Sequence, residues 1–170
     1  MKNYSRCEIY GIAIKSEIDA FRFYDKFLRG LRRSKEIISS IALLAEKLEF
    51  LKKEEIKHRQ LLSSLYSKEF PKVKLRLPQK GVIGLPVISP RERISLPSLL
   101  EKAMAAEGAA EKFYRDAWES SSNENSRRLF IYLASMEKGH YYLLKAEYDL
   151  LNTFSDYDSY KKFSLEHLGP

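Results

Sequence analysis

The sequence predicts an all-α fold, a four-helix bundle in which a long crossover joins the second helix to the third. Three observations carry this. Apolar residues recur at helical spacing through four long stretches. Few of the seven glycines and six prolines fall inside those stretches. The breaks between them are unequal, short within each pair of helices but running from 67 to 95 between the pairs, too long for a turn between antiparallel neighbours.

The first helix is expected from about Tyr4 to Leu28, with Tyr10, Ala13, Ile14, Ala20, Phe21, Tyr24 and Leu28 on its apolar stripe and Gly30 as its stop. The second opens at Ser34, a good N-cap residue, and reaches about Tyr66 with Ile41, Leu44, Ala45, Leu48, Leu51 and Leu62 on one face. Pro71, Pro78, Pro86 and Pro90, with Gly81 and Gly84, then keep the connector out of helix. Ser95 or Ser98 starts the third helix, Pro97 taking an early helical position where its missing N–H costs nothing. That helix ends near Glu119, residues 120–125 are polar loop, and the fourth runs from about Ser126 to Leu151. Residues 1–151 thus make the bundle domain, and the aromatic, charged tail 152–170 is expected to pack on it or on a partner subunit.

Composition bounds the chemistry. At 170 residues and 44% apolar, the chain is the size of one domain with a real core. Its uncharged apolar runs, 37–45 and 81–90, are far shorter than the ~20 residues of a membrane span. The first thirty residues carry charges throughout, unlike a signal peptide, so the expected location is the cytoplasm and no membrane partner is expected. The net charge of +7 is spread among 23 acidic residues, which favours a solvated surface over a nucleic-acid partner. A single cysteine, Cys7, excludes an internal disulfide, a CxxC pair or a cysteine-rich metal site. Chemistry has to come from oxygen and nitrogen ligands.

The two halves of the chain repeat. Glu17-Ile-Asp-Ala20-Phe-Arg-Phe23-Tyr24 in the first helix matches Glu107-Gly-Ala-Ala110-Glu-Lys-Phe113-Tyr114 in the third, and each glutamate lies on the apolar face. An ionised carboxylate on a core stripe needs a cation, hydrogen-bond donors or a proton. The second and fourth helices supply the counterpart: Glu55-Ile-Lys-His58 matches Glu137-Lys-Gly-His140, so glutamate and histidine project from one face a turn apart. Glu54 also reaches His58 in sequence, but its repeat equivalent is Met136, so the repeat selects Glu55. With 17 glutamates in the chain, two such spacings arise by accident about 3% of the time. Two inward glutamates plus two Glu-x-x-His pairs are the ligand set of the di-iron and di-manganese carboxylate bundles. In that arrangement Glu55 and Glu137 bridge two metals, His58 and His140 each cap one, and Glu17 and Glu107 are terminal. Four carboxylates offset two divalent cations. The ligand types favour iron or manganese and also admit zinc.

With the E-x-x-A-x-x-F-Y and E-E-x-x-H phrases and the long crossover, the stretch from Tyr10 to Leu151 resembles the rubrerythrin branch of the ferritin-like superfamily. The resemblance implies that Glu17, Glu55, His58, Glu107, Glu137 and His140 hold two iron ions and carry the catalysis, with Tyr24 and Tyr114 beside them. Rubrerythrins proper carry a cysteine-rich rubredoxin domain; with only Cys7, this chain would need an external electron donor such as a rubredoxin-type protein. They also carry an additional glutamate three residues after the third-helix ligand, where this chain has Ala110, and Glu111 one position on is out of register. The expected function is a di-iron oxidoreductase reducing peroxide or dioxygen. A ferroxidase, a hydroxylase of RNA using the basic crossover, and a non-catalytic bundle are the alternatives, and a homodimer is the expected assembly. Cys7 and Trp118 are expected to serve packing.

Overall fold

The computed structural model describes residues 4–33, 39–79 and 95–153. They form four helices, α1 (Arg6–Arg33), α2 (Ser39–Glu69), α3 (Leu96–Ser120) and α4 (Glu124–Thr153). α1 packs on α2 and α3 on α4 as two hairpins, joined where α2 meets α4. Polar pairs fix the directions. Lys47 meets Glu147 while the Ser126 hydroxyl donates to Glu69 at 2.6 Å, so α2 and α4 run antiparallel. Tyr10 lies against Ser126 at 3.1 Å, which puts the starts of α1 and α4 at the same end. This is the all-α, ferritin-like bundle that the sequence predicts.

The core falls into two apolar clusters with a polar layer between them. One gathers Phe23, Phe27, Leu28, Leu48, Leu51, Leu99 and Leu144, the other Ile9, Tyr10, Ile14, Leu62, Phe113, Tyr114 and Phe130. Each large side chain buried in this way stabilises the fold by about 1.5–3 kcal/mol, and two such clusters allow carboxylates to be held in the middle layer. Trp118 packs beside the second cluster under the Arg127 guanidinium, 5.0 Å from its ring, and half-buried Cys7 packs there too.

Element ends depart from the sequence reading for local reasons. α1 continues through Gly30 to Arg33 because Leu31, 1% exposed, extends the apolar stripe. α2 runs on to Glu69, whose carboxylate is held by Tyr10 and Ser126, and Pro71 then ends it. Ser95 is the N-cap of α3, its side chain accepting from the Ser98 N–H at 3.3 Å with Pro97 in the first turn. α4 begins two residues before Ser126, because the Asn123 side chain accepts from the Ser126 N–H at 3.0 Å. The Ser34 cap, crossover residues 80–94 and tail residues 154–170, including His167, lie outside the described residues.

The start of the crossover, residues 70–79, lies against α1. A Cβ at Gly11 would collide with the Arg76 carbonyl oxygen, so only glycine lets the two backbones approach this closely. The strap is pinned by the Tyr66 hydroxyl on the Val73 carbonyl at 3.2 Å and by Phe70 against Tyr66, ring centroids 5.1 Å apart. Residues 9–14 of α1 are consequently buried on every side.

Candidate metal centre

All six sequence-predicted ligands converge in the middle layer, each between 1% and 4% exposed. Glu17 comes from α1, Glu55 and His58 from α2, Glu107 from α3, and Glu137 and His140 from α4. Their donor atoms form two quartets, Glu17, Glu55, His58 and Glu137 in one and Glu55, Glu107, Glu137 and His140 in the other. Glu55 and Glu137 belong to both. Glu137 turns Oε1 toward His58 Nδ1 at 3.1 Å and Oε2 toward His140 Nδ1 at 3.3 Å. Glu55 likewise presents Oε2 to His58 at 3.7 Å and Oε1 to His140 at 3.6 Å. The outer glutamates each face one histidine, Glu17 Oε2 at 3.4 Å from His58 Nδ1 and Glu107 Oε2 at 3.6 Å from His140 Nδ1. The imidazole rings lie nearly parallel, 5.5 Å apart and 16° from coplanar.

These separations suit donors that share an ion. Donors about 2.1 Å from a shared ion lie roughly 3–3.5 Å from one another, and most of the spacings here are at or just above that range. Glu17 Oε2, Glu55 Oε1, Glu137 Oε1 and the ring nitrogens of His58 and His140 are buried without a hydrogen bond among the described residues. Buried polar atoms are rarely left so, and the carboxylate oxygens and Nδ1 atoms among them gather in the two quartets. The donor set, carboxylate oxygen and imidazole nitrogen, is that of divalent first-row metals. The residues fit a two-metal centre.

Electrostatics agree. Burial pushes the Glu55 carboxyl well above its ordinary range, and the Glu137 and Glu17 carboxylates add to it. Burial, then Glu137, raises Glu107 to about 8. For Glu137 burial is outweighed by His140 and His58, which hold it far below the carboxylate range. Burial disfavours the charged histidines too, yet Glu107 and Glu137 raise His140 to about 9, and Glu137, Glu17 and Glu55 raise His58 further still. Protons are drawn in to balance the four carboxylates, and a pair of divalent cations does the same work with more charge.

Tyr24 and Tyr114 lock the outer glutamates by a crossed pairing. The Tyr24 hydroxyl of α1 donates to Glu107 Oε1 of α3, and the Tyr114 hydroxyl of α3 donates to Glu17 Oε1 of α1. Burial and these carboxylates push both phenols well above their ordinary pKa, so both remain O–H donors. Each leaves Oε2 of its glutamate facing a histidine. Glu54, next to Glu55 in sequence, turns away to Lys57 at 2.5 Å, and Glu111 pairs with Arg115 at 2.8 Å on the helix surface.

On the α1–α3 side the glutamates border a cavity of about 10 Å³, room for about one water molecule. Ser16, Ala20, Ala106 and Ala110 form its walls. Ala20 and Ala110 are repeat equivalents, three residues after Glu17 and Glu107, and line it with methyl groups.

A bundle of two hairpins joined by a crossover, with paired glutamates and paired Glu-x-x-His sets in its middle layer, defines the class of ferritin-like carboxylate bundles. Within that class, the family model described as Rubrerythrin matches residues 8–148. The chain belongs to the rubrerythrin family, whose members bind two irons and have oxidoreductase or iron-handling roles. Among solved structures, a hypothetical protein from Pyrococcus furiosus is similar, with a TM-score of 0.72 at 38% identity, covering 89% of this chain and 93% of that one. No curated protein matches the chain. No helix of the described residues is long and apolar enough to cross a membrane.

Proposed function

We propose that this protein is a non-haem di-iron oxidoreductase that reduces peroxide, or dioxygen, with electrons supplied from outside the chain. The observation that carries the reading is the pair of quartets sharing Glu55 and Glu137 beside a methyl-lined cavity of one-water size. Glu17, Glu55, His58, Glu107, Glu137 and His140 would hold the metals, and iron is among those the donor set suits. When bound, two adjacent irons supply one electron each to an O–O bond.

The chain's own residues prepare the site for that reaction. Glu137 and Glu55 each offer one oxygen to either quartet, so they hold the two metal positions together as charge changes. Tyr24 and Tyr114 fix Glu107 and Glu17 through their Oε1 atoms, as hydrogen-bonded neighbours of metal ligands do. Ala20, Ala106 and Ala110 put apolar side chains beside the glutamates, which limits the water that can gather there. For peroxide the balance is two electrons and two protons taken up, the O–O bond broken and two waters released.

Metal analysis with ferrous titration and an absorption spectrum before and after peroxide tests this. Two irons per chain, a spectrum that changes with peroxide, and loss of turnover in Glu137→Ala and His140→Ala with helix content unchanged are the expected results. Full peroxide turnover by metal-free protein refutes the proposal. Iron accumulating beyond two per chain replaces it with iron storage.

A further inference from the structure

The reduction just described consumes two electrons per peroxide, and the two quartets are the clusters of metal-ligating side chains found among the described residues. The 170 residues given contain one cysteine, too few for a cysteine-held iron–sulfur site of their own, so a separate donor molecule is considered. We propose that the basic strap on α1, residues 70–79 with the end of α2, is the docking surface for an acidic one-electron iron–sulfur protein that re-reduces the centre. This rests on the oxidoreductase reading above. Each docking event would oxidise the donor by one electron and reduce one iron(III) to iron(II), so two events restore the pair.

Charge comes first. Lys68, Lys72, Lys74 and Arg76 are exposed, three of them at alternate positions. Two carboxylates lie beside these four cations. Glu69 is held by Arg6, Tyr10 and Ser126, and Glu8 by the Ser5 N–H and hydroxyl at 2.7 Å. Such a patch steers an acidic partner and raises its association rate.

Val73 and Leu77 lie among these cations, 49% and 45% exposed. Exposed aliphatics inside a ring of positive charge suit a protein interface, with an apolar centre and a charged rim. A phosphate backbone gives them nothing to bury, so the pattern favours a protein over RNA. The strap is also held in place before any partner arrives, by Gly11, Tyr66 and Phe70, so little ordering entropy opposes docking.

Position supplies the third argument. Arg76 crosses α1 at Gly11, six residues from Glu17, which is about 9 Å of helix rise. Glu17 belongs to one quartet and carries the Tyr114 hydrogen bond. The strap therefore crosses α1 less than about two helical turns from a residue of the centre, which keeps the path from a docked redox group short, and its residues are not among those lining the cavity.

The test measures binding apart from turnover, using an acidic [2Fe–2S] ferredoxin as the probe. Titration calorimetry at low ionic strength compares wild type with Lys72→Glu/Lys74→Glu and with Lys53→Glu/Lys138→Glu, which makes the same change in net charge on exposed positions of α2 and α4. The strap variant is expected to bind about tenfold or more weakly and to lose most of its salt dependence, in metal-free and metal-loaded protein alike. The other variant should bind as wild type does. Reduction of the metal-loaded strap variant by ferredoxin should slow in parallel, while reduction by dithionite, which needs no docking, stays at the wild-type rate. Unchanged ferredoxin affinity in the strap variant, or loss confined to the Lys53/Lys138 variant, overturns the proposal. So does a single-stranded RNA that binds more tightly than ferredoxin and is lost with the strap lysines. A centre that dithionite cannot reduce would instead count against the oxidoreductase reading, whatever the binding shows.

Discussion

Replacing Tyr114 with phenylalanine removes one oxygen atom from the core and leaves the ring in place. The lost group is the donor to Glu17 Oε1, and both partners are buried, Tyr114 at 0% and Glu17 at 3% exposure. The carboxylate oxygen loses its donor inside the core, so the cost is that of an unsatisfied buried acceptor, about 1–3 kcal/mol. No cavity term is added because the ring packing against Phe130 survives. For a chain of this length that lowers the melting temperature of the metal-free protein by about 2–12 °C. Glu17 is also freed to rotate, and losing the hydrogen bond that orients a ligand typically costs about 10–100-fold in metal affinity. Calorimetry of the metal-free variant and competitive ferrous titration read the two effects separately. Tyr24→Phe, which orphans Glu107, is the internal replicate, and Tyr148→Phe, whose bond to Glu101 is exposed, is the control with little expected change. Unchanged stability and unchanged metal affinity in both buried variants would refute the claim that the crossed tyrosines hold the outer glutamates.

Further outcomes follow from the same geometry. In metal-free protein His140 rises from its ordinary 6.5 to about 9, so its contribution to stability is complete below about pH 6.5 and is lost as pH climbs through 9. Glu107, raised to about 8, has the same sign, because the folded state holds a proton that the unfolded chain releases above about 4.5. Melting temperature of the metal-free protein should thus fall from pH 5 to pH 9, while metal affinity rises over the same range as those protons cease to compete; a flat profile for both would contradict the assigned shifts. Gly11→Ala forces the strap off α1 and should cost about 1–3 kcal/mol in urea denaturation, where a helical Gly→Ala change would otherwise stabilise. Ala110→Leu fills the cavity and should slow peroxide-driven oxidation about tenfold or more with ferrous binding retained, read by stopped-flow absorbance.

Much of this architecture is written in periodicity. The helices follow from apolar stripes that need no knowledge of their partners, and the six converging residues follow from a repeat that sets Glu17 against Glu107 and Glu55-x-x-His58 against Glu137-x-x-His140. Where the reading missed, a neighbour decided the outcome. Gly30 looks like a stop until Leu31 is seen to find a buried place beyond it. Asn123 carries a usable signal, since asparagine is among the best N-caps, but the apolar stripe by itself starts the helix only near Ser126. The crossed tyrosines were expected only near the site, because the pairing of Tyr24 with Glu107 depends on α1 and α3 running antiparallel across the bundle. Gly11 is invisible for the same reason: a glycine in a helix costs about 1 kcal/mol relative to alanine, and its purpose appears only when Arg76 lies on it.

The crossed pairing also says how such a chain can be assembled from simpler parts. Every element of the centre occurs once in each hairpin: an outer glutamate, a shared glutamate, a histidine, and a tyrosine seven residues after the outer glutamate that reaches across to the other half. Neither hairpin satisfies its own Glu17 or Glu107. Two copies of the α1–α2 hairpin related by a two-fold axis, however, would present four glutamates, two histidines and two tyrosines in the same relation. The single chain is a covalent version of a symmetric dimer, with the crossover as the tether that turns a bimolecular assembly into an intramolecular one. The two halves need not be identical outside these residues: Gly11, on which the strap lies, has Glu101 as its counterpart in the second hairpin.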